Sequence, residues 1–222
     1  LATGIREFDR VLGGGVVPGS LVLLGGEPGI GKSTILLDAG LRFGQQGIKV
    51  LYVSGEESEE QTAMRAVRLG GAQANDNLLI LTATDLDAIL AQANALKPQL
   101  LIIDSIQTMY NPELQTAAGS VGQVRECTAK LLQFAKSTGI AVLLIGHVTK
   151  DGTIAGPRLS EHMVDVVLQF EGDRSYSFRV LRALKNRFGS TSESGIFSME
   201  AGGLQEVANP AGLFLEDRDG EA

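Results

Sequence analysis

The sequence of 222 residues contains no tryptophan, one cysteine and two histidines, and only 5% of it is aromatic. The single cysteine, Cys127, excludes an intramolecular disulfide and fits a reducing compartment. No stretch approaches the run of about 18 apolar residues that a transmembrane helix requires, and none has the pattern of a signal peptide. From these absences we expect a cytoplasmic protein without a membrane partner.

Basic charge is also scarce, but it is unevenly distributed. The chain has 19 basic and 26 acidic side chains, a net charge of −7. Residues 200–222 hold six acids and one arginine, whereas the segment from Arg174 to Gly189 holds five basic residues and no acid. Binding of nucleic acid depends on the local distribution of charge, so the acidic total does not exclude it.

Glycine is abundant, at 28 of 222 residues, and several glycines fall in one motif. Residues 26–33 read GEPGIGKS and fit G-x-x-x-x-G-K-[ST], the pattern of a P-loop. Its glycines let the backbone approach phosphate closely, and its N–H groups form an anion cradle with the next helix. We expect Lys32 to reach the β- and γ-phosphates and Ser33 to offer its hydroxyl to Mg²⁺. The predicted nucleotide-binding residues are Gly26, Glu27, Pro28, Gly29, Ile30, Gly31, Lys32, Ser33 and Thr34.

The pattern around this motif alternates between strands and helices. Apolar runs predict strands at 21–24, 49–54, 78–81, 100–104 and 141–146. Caps and helical spacing predict helices from Ser33 to Gly44, from the capping box at Ser58, from a cap at Thr84, and over about 121–137. The later runs at 164–170, 176–184 and 195–199 predict strands without helices between them.

This order of elements predicts an α/β fold with a mostly parallel central sheet flanked by helices and a partly antiparallel C-terminal edge. We expect one P-loop NTPase domain over residues 1–214. Residues 215–222 are expected to be an acidic tail or the start of a linker.

Polar residues follow three of the predicted strands, at the edge where parallel sheets place their ligands. Asp104 ends one strand and is predicted to hold Mg²⁺, directly or through water. Glu56 is predicted to orient or deprotonate the attacking water; Glu57 shares that position, and both also suit the acidic first turn of a helix. His147 is predicted to sense the γ-phosphate, the alternative being a hydrogen-bonded histidine at a strand end.

Taken together, the motifs resemble the RecA-type ATPase core and, within it, the bacterial RadA (Sms) family. The matching stretches span nearly the whole chain: TGI from Thr3, FDRVLGGG from Phe8, GGEPGIGKST from Gly25, YVSGEES from Tyr52, LLIIDSIQT from Leu100 and KNRFG from Lys185. KNRFG is the stretch that separates this family from its relatives. The family's four-cysteine zinc module and Lon-protease-like domain have no counterpart here, so we expect an isolated ATPase core.

The resemblance implies a RecA-like fold and a Mg²⁺-dependent, DNA-stimulated ATP hydrolase. Such a motor would act on recombination intermediates in branch migration and DNA repair. ATP and Mg²⁺ are the implied cofactors. The implied partners are single-stranded or branched DNA, further copies of the chain in a hexameric ring, and a RecA-type recombinase.

The resemblance implies functional roles for two pairs of basic residues. Lys150 and Arg158 lie in the segment 148–160, which would face DNA in the central channel; the alternative is a solvated loop. Lys185 and Arg187 would reach the neighbouring subunit's nucleotide and stabilise the transferring phosphoryl group, as an arginine finger does. The alternative for this second pair is a basic, solvated strand edge.

Two other functions fit the same motifs. A KaiC-like signalling ATPase would share the TGI…LGGG opening and the paired Glu56 and Glu57, but it would not respond to DNA. A nucleotide-gated assembly module would form rings in the presence of nucleotide and show negligible turnover.

Overall fold

The computed structural model describes residues 1–70, 76–147, 162–172 and 178–207. Within these ranges, nine strands form a single sheet in the order β3-β2-β4-β5-β1-β6-β7-β8-β9. The first six strands are β1 (Leu21–Gly26), β2 (Val50–Ser54), β3 (Leu78–Thr82), β4 (Leu100–Asp104), β5 (Ala141–His147) and β6 (Val166–Glu171). The last three are β7 (Phe178–Asn186), β8 (Ser194–Glu200) and β9 (Gly203–Glu206).

Strand direction divides this sheet into two halves. All pairings from β3 across to β6 are parallel, while β6 with β7, β7 with β8 and β8 with β9 are antiparallel. The predicted α/β class, with a mostly parallel sheet and an antiparallel C-terminal edge, is therefore confirmed. We call the edge at which the parallel strands end the carboxyl edge, and the edge at which they begin the amino edge.

Helices cover both faces of the parallel half, as its nearly continuous apolar strands require. The helices are α1 (Arg6–Leu12), α2 (Lys32–Gln45), α3 (Glu59–Arg68), α4 (Leu86–Leu96) and α5 (Val121–Thr138). One core cluster joins α1 and α2 to the sheet through residues such as Phe8 and Leu36, and a second joins α4 and α5 through Ile89 and Leu131. Among the described helices, none is long and apolar enough to cross a membrane.

Local hydrogen bonds explain where two of these helices begin. The predicted capping box at Ser58 is confirmed: Ser58 Oγ accepts from the Gln61 N–H at 3.2 Å, and Gln61 Oε1 accepts from the Ser58 N–H at 3.0 Å. The predicted cap at Thr84 is wrong by one residue. Asp85 caps α4, with Oδ1 accepting from the N–H groups of Asp87 and Ala88. The carbonyl of a capping residue accepts the first hydrogen bond of the helix, and the Asp85 carbonyl does so from Ile89, whereas the Thr84 carbonyl accepts from the N–H of Tyr110.

Candidate active site

The P-loop lies between β1, which ends at Gly26, and α2, which begins at Lys32. Gly31, the residue before the helix, has a φ of 118°, a value that only glycine adopts readily. A Cβ atom at this position would lie 3.0 Å from Met199 Cε and 3.1 Å from Leu204 Cδ1. Both the backbone angle and the close cover of β8 and β9 therefore require glycine here.

Lys32 is buried inside the loop that carries it. Its Nζ donates to the carbonyl oxygens of Gly26 and Glu27, both at 2.7 Å. Burial lowers the pKa of Lys32 to about 8, and the charges of Asp104, Glu56 and Glu27 oppose that effect. The surrounding acids thus favour a charged ammonium group at the position where a P-loop binds phosphate.

Asp104 is the last residue of β4 and is buried. Tyr52 Oη donates to Asp104 Oδ2 at 2.6 Å. Burial, together with the Asp104 charge and hydrogen bond, raises the pKa of Tyr52 well above its usual value, so the phenol remains a donor. This hydrogen bond fixes the orientation of the carboxylate at the carboxyl edge.

The donor set at this edge suits Mg²⁺ that arrives with a nucleotide. In the part of the chain that the structure describes, no three or more histidines, cysteines, aspartates and glutamates group into a metal site. Mg²⁺ usually takes only one or two protein ligands in nucleotide sites and completes its shell with phosphate and water. Asp104 and the hydroxyl of Ser33 fit that requirement, whereas a complete protein cage would not be needed.

The structure separates Glu56 from Glu57. Glu56 Oε1 accepts from Ser105 Oγ at 3.0 Å and lies 3.2 Å from His147 Nε2. Glu57 forms an ion pair with Arg65 instead, and its N–H donates to Ser54 Oγ at 3.0 Å. Glu56 is therefore the carboxylate that faces the P-loop, although its part in catalysis stays a prediction.

His147 is the last residue of β5, beside Glu56. Its backbone N–H donates to Gln107 Oε1 at 3.3 Å. Gln107 lies three residues after Asp104, so its side chain joins the segment that follows β4 to the backbone at the end of β5. A change at His147 has a direct path to the segment that follows Asp104, as a γ-phosphate sensor would need.

Lys32, Glu56 and His147 line a cleft of about 290 Å³, together with two residues that the sequence did not indicate. Arg65 enters from α3 and Met199 from β8. Arg65 lies eight residues beyond its partner Glu57, a spacing that carries no local signal. Met199 belongs to an antiparallel strand whose return to the P-loop is visible only in the fold. The predicted cofactor-binding residues Pro28, Gly29, Gly31, Lys32, Ser33 and Thr34 are among those that line the cleft.

A larger hollow of about 440 Å³ lies at the amino edge, away from this chemistry. It is lined by residues such as Pro98, Gln99 and Ile140. Lys97 is the one charged side chain among its described lining residues, so it offers no counterpart to the groups around the P-loop.

Lys185 and Arg187 lie at the amino edge, opposite the P-loop of their own chain. They flank Asn186, which pairs with Val166 at the start of β6. The length of β1 separates this position from the P-loop, about 17 Å at the usual rise per residue. The structure therefore does not bring these two cations to the candidate active site of the same chain.

A buried acid that the sequence did not indicate holds Arg187 at this edge. Asp165 accepts from the Leu21 N–H at 2.9 Å, from Lys136 Nζ at 2.7 Å and from Arg187 Nη1 at 3.2 Å. Burial opposes ionisation of Asp165, but these donors and charges outweigh it and lower its pKa. Lys185 Nζ donates to the His162 carbonyl at 3.1 Å, and burial and the Arg187 charge lower its pKa.

The KNRFG segment (residues 185–189) contacts the end of α1. Asn186 Nδ2 donates to the Leu12 carbonyl at 3.1 Å, and Asn186 Oδ1 accepts from the Phe188 N–H at 2.9 Å. A Cβ at Gly13 would lie 3.5 Å from Gly189 Cα. Two motifs that are far apart in sequence, VLGGG and KNRFG, thus fix each other's shape.

The predicted DNA-contacting residues Lys150 and Arg158 lie outside the described residues, as do Arg174 and the tail 215–222. Of the basic segment after Arg174, Arg179 is buried, and Arg182 lies 3.5 Å from Glu171. The basic segment is therefore not a continuous exposed strip.

Known proteins resemble this chain in sequence. The family model described as AAA domain matches residues 2–153. Proteins named DNA repair protein RadA from Halalkalibacterium halodurans and Streptococcus pneumoniae are each 57% identical over 216 residues, or 97% of this chain. The RadA protein of Bacillus subtilis is 56% identical over the same share. The chain spans about half the length of these relatives, 47% to 51%.

A solved structure shows the same fold at low sequence identity. The crystal structure of a KaiC-like protein from the hyperthermophilic archaeon Pyrococcus horikoshii OT3 superposes with a TM-score of 0.75 and 20% identity. The match covers 93% of this chain and 98% of that one. At this identity the likeness bears on the fold alone.

Proposed function

Because the chain belongs to the AAA domain family and has the RecA-like ATPase core of bacterial RadA proteins, we propose that it hydrolyses ATP in DNA repair. The observation that carries this proposal is the convergence at one sheet edge. Lys32, Glu56, Asp104 and His147 come from four separate elements and meet beside the P-loop.

The proposed division of labour follows from these positions. Lys32 binds the β- and γ-phosphates, and the N–H groups of the loop and of α2 surround them. Glu56 orients the attacking water and accepts its proton, while Ser105 and His147 hold the carboxylate in place. Ser33 and Asp104 would hold Mg²⁺, which would supply positive charge to stabilise the phosphates during transfer.

Assembly completes the proposed site. Lys185 and Arg187 lie at the amino edge, so they serve a nucleotide only if it is bound to another copy of the chain. A head-to-tail contact repeats from copy to copy and closes into a ring when the rotation permits. We propose a ring, with six copies as the expected number, in which each copy gives its cations to the next.

DNA is the proposed partner of this ring. The RadA relatives are named DNA repair proteins, and the expected channel residues Lys150 and Arg158 are cations suited to phosphate contact. The substrates proposed are single-stranded or branched recombination intermediates, processed by branch migration alongside a RecA-type recombinase.

The decisive experiment measures ATP turnover with and without single-stranded DNA, with Mg²⁺ present and then removed by chelation. We expect turnover that needs Mg²⁺ and rises with DNA. Turnover that ignores DNA would favour a KaiC-like signalling ATPase. Rings that form with nucleotide but turn over negligibly would favour an assembly module.

A mixing experiment tests the role of the two cations. One variant combines Lys185→Ala with Arg187→Ala, and the other carries Glu56→Gln; each alone is expected to be inactive. In mixtures, some interfaces join an intact P-loop and Glu56 to intact cations, so part of the activity should return. If mixtures shown to co-assemble recover nothing, the cations do not act across the interface.

A further inference from the structure

Large apolar side chains are exposed at few places in the described chain. Those most exposed are Met64 at 73%, Val67 at 57%, Val121 at 56%, Leu184 at 54% and Phe188 at 43%. Four of these five fall into two groups, and each group lies beside one half of the proposed shared site. Exposed apolar groups next to polar functional residues are typical of protein interfaces.

The first group, the α3 patch, comprises Ala63, Met64 and Val67. Their spacing places them on one side of α3, while Thr62 and Ala66 on the other side are buried. Met64 lines a hollow of about 340 Å³ together with Arg65, and Arg65 also lines the nucleotide cleft. The α3 patch is therefore an apolar extension of the P-loop side of the site.

The second group, the β7 patch, comprises Leu184 and Phe188, on either side of Lys185 and Arg187. Leu184 is the extra residue of a β-bulge, since Ala183 pairs with Leu168 and Lys185 with Val167. Bulges redirect side chains out of the regular alternation. The Asn186 hydrogen bond holds the backbone of Phe188 in place, so its exposure comes from a fixed loop shape.

We propose that the α3 patch of one copy packs against the β7 patch of the next copy. This inference rests on the proposed contribution of Lys185 and Arg187 to a neighbour's nucleotide. If those cations enter the neighbour's cleft, the apolar residues that flank them are brought against the residues that flank the cleft.

The distribution of charge supports a second copy of this chain as the partner that packs against each patch. Four acids, Glu56, Glu57, Glu59 and Glu60, lie at and just before the start of α3, with Arg65 and Arg68 farther along. On the other side, Lys185 and Arg187 supply the positive charge beside the β7 patch, since Arg179 is buried, Arg182 lies beside Glu171, and the acid that Arg187 contacts, Asp165, is buried. The two surfaces are opposite in charge around apolar centres, an arrangement that favours their association and fixes their orientation.

Sedimentation velocity with a non-hydrolysable ATP analogue tests the contact. Met64→Gln with Val67→Gln, and separately Leu184→Gln with Phe188→Gln, should each weaken assembly at least about tenfold, while binding of the analogue to the monomer stays unchanged. Val121→Gln is the matched control, since Val121 is exposed at 56% and Val67 at 57%. It should assemble as the wild type does.

Two measurements show whether the patches contact each other. Combining both pairs of substitutions should cost little more than either pair alone, because contacting residues are not additive. Met64→Cys with Phe188→Cys in one chain should form disulfides between copies on oxidation, while the buried Cys127 remains reduced. Patch variants that assemble normally, fully additive losses, or an equal defect in Val121→Gln would overturn this inference. A wild-type chain that stays monomeric would overturn the proposed ring as well.

Discussion

The two halves of the sheet place their functional residues at opposite edges. In the parallel half, Glu56, Asp104 and His147 lie at or just after the end of a strand, and Lys32 follows the loop after β1, so the four meet at the carboxyl edge. In the antiparallel half, β7 runs the other way and carries Lys185 and Arg187 to the amino edge. A single copy thus holds the proposed hydrolytic residues at one edge and a pair of cations at the other.

The antiparallel half also supports its own P-loop. Met199 of β8 and Leu204 of β9 lie against Gly31. This half therefore packs against the P-loop of its own copy, and under the proposed function it also supplies charge to a neighbour. Substitutions in the two halves should therefore impair different properties of the protein.

The largest effect is expected at Lys32. Lys32→Ala should abolish turnover and weaken nucleotide binding, because the ammonium group contacts phosphate in both the ground state and the transition state. Glu56→Gln should leave binding largely intact and slow the chemical step by about 10²-fold or more. Turnover assays paired with a fluorescent nucleotide titration make the distinction. Equal loss of affinity in both variants would remove Glu56 from the catalytic role.

Glu57 provides the matched control for Glu56. Glu57→Gln keeps the shape of the side chain but weakens its ion pair with Arg65, and Glu57 itself is not among the residues that line the nucleotide cleft. We expect turnover to fall less than about tenfold, since a partly exposed ion pair contributes little. Single-turnover rates of the two variants should differ by about tenfold or more. A reversed order would identify Glu57 as the base.

The role of Asp165 next to the antiparallel half can be tested by measuring the free energy of unfolding. Asp165→Asn should lower the free energy of unfolding by about 1–3 kcal/mol, because buried donors lose a charged acceptor. Nucleotide affinity of the folded chain should remain. The pKa of Asp165 is lowered on folding, so its stabilisation is present above the unfolded pKa and is lost as the pH falls through the folded value. Denaturant titrations should show a difference between wild type and variant that shrinks below about pH 4.

Lys32 makes nucleotide affinity depend on pH. Its pKa is about 8 before phosphate binds, and a bound phosphate must raise it. Affinity for a non-hydrolysable analogue should therefore be level below pH 8 and fall toward about tenfold per pH unit above it. Lys32→Arg is the control, since a guanidinium group stays charged and its affinity should not fall over this range. A level wild-type profile would contradict the assigned pKa.

The smallest expected effect concerns DNA. Lys150→Ala with Arg158→Ala should weaken DNA binding and reduce the slope of log affinity against log salt by about one to two units. Folding and turnover without DNA should persist. Arg6→Ala, at an exposed position of α1 and far from that segment in sequence, serves as a control for loss of charge alone. An unchanged slope would place the DNA path elsewhere on the ring.

Local sequence patterns were sufficient to predict most of the elements in the parallel half of the sheet. The P-loop, its flanking strand and helix, and the capping box at Ser58 depend on residues within a few positions of one another. Thr84 and Asp85 are both good caps, and only the Tyr110 contact chose between them. Helix α1 and strand β9 were not predicted from the sequence, because each is short and depends on packing against β8.

The sequence by itself determined that a phosphate-binding loop follows a buried strand, and that Asp104, Glu56 and His147 each follow a strand of the same sheet. Strand direction then placed them at one edge, since parallel strands end together. Only the tertiary structure decided which of Glu56 and Glu57 faces the loop, because that choice depends on contacts with Arg65, eight residues after Glu57, and with Ser105 and His147, which follow or end other strands. It likewise placed Lys185 and Arg187 at the far edge, because Asp165, brought close only by folding, holds Arg187 there.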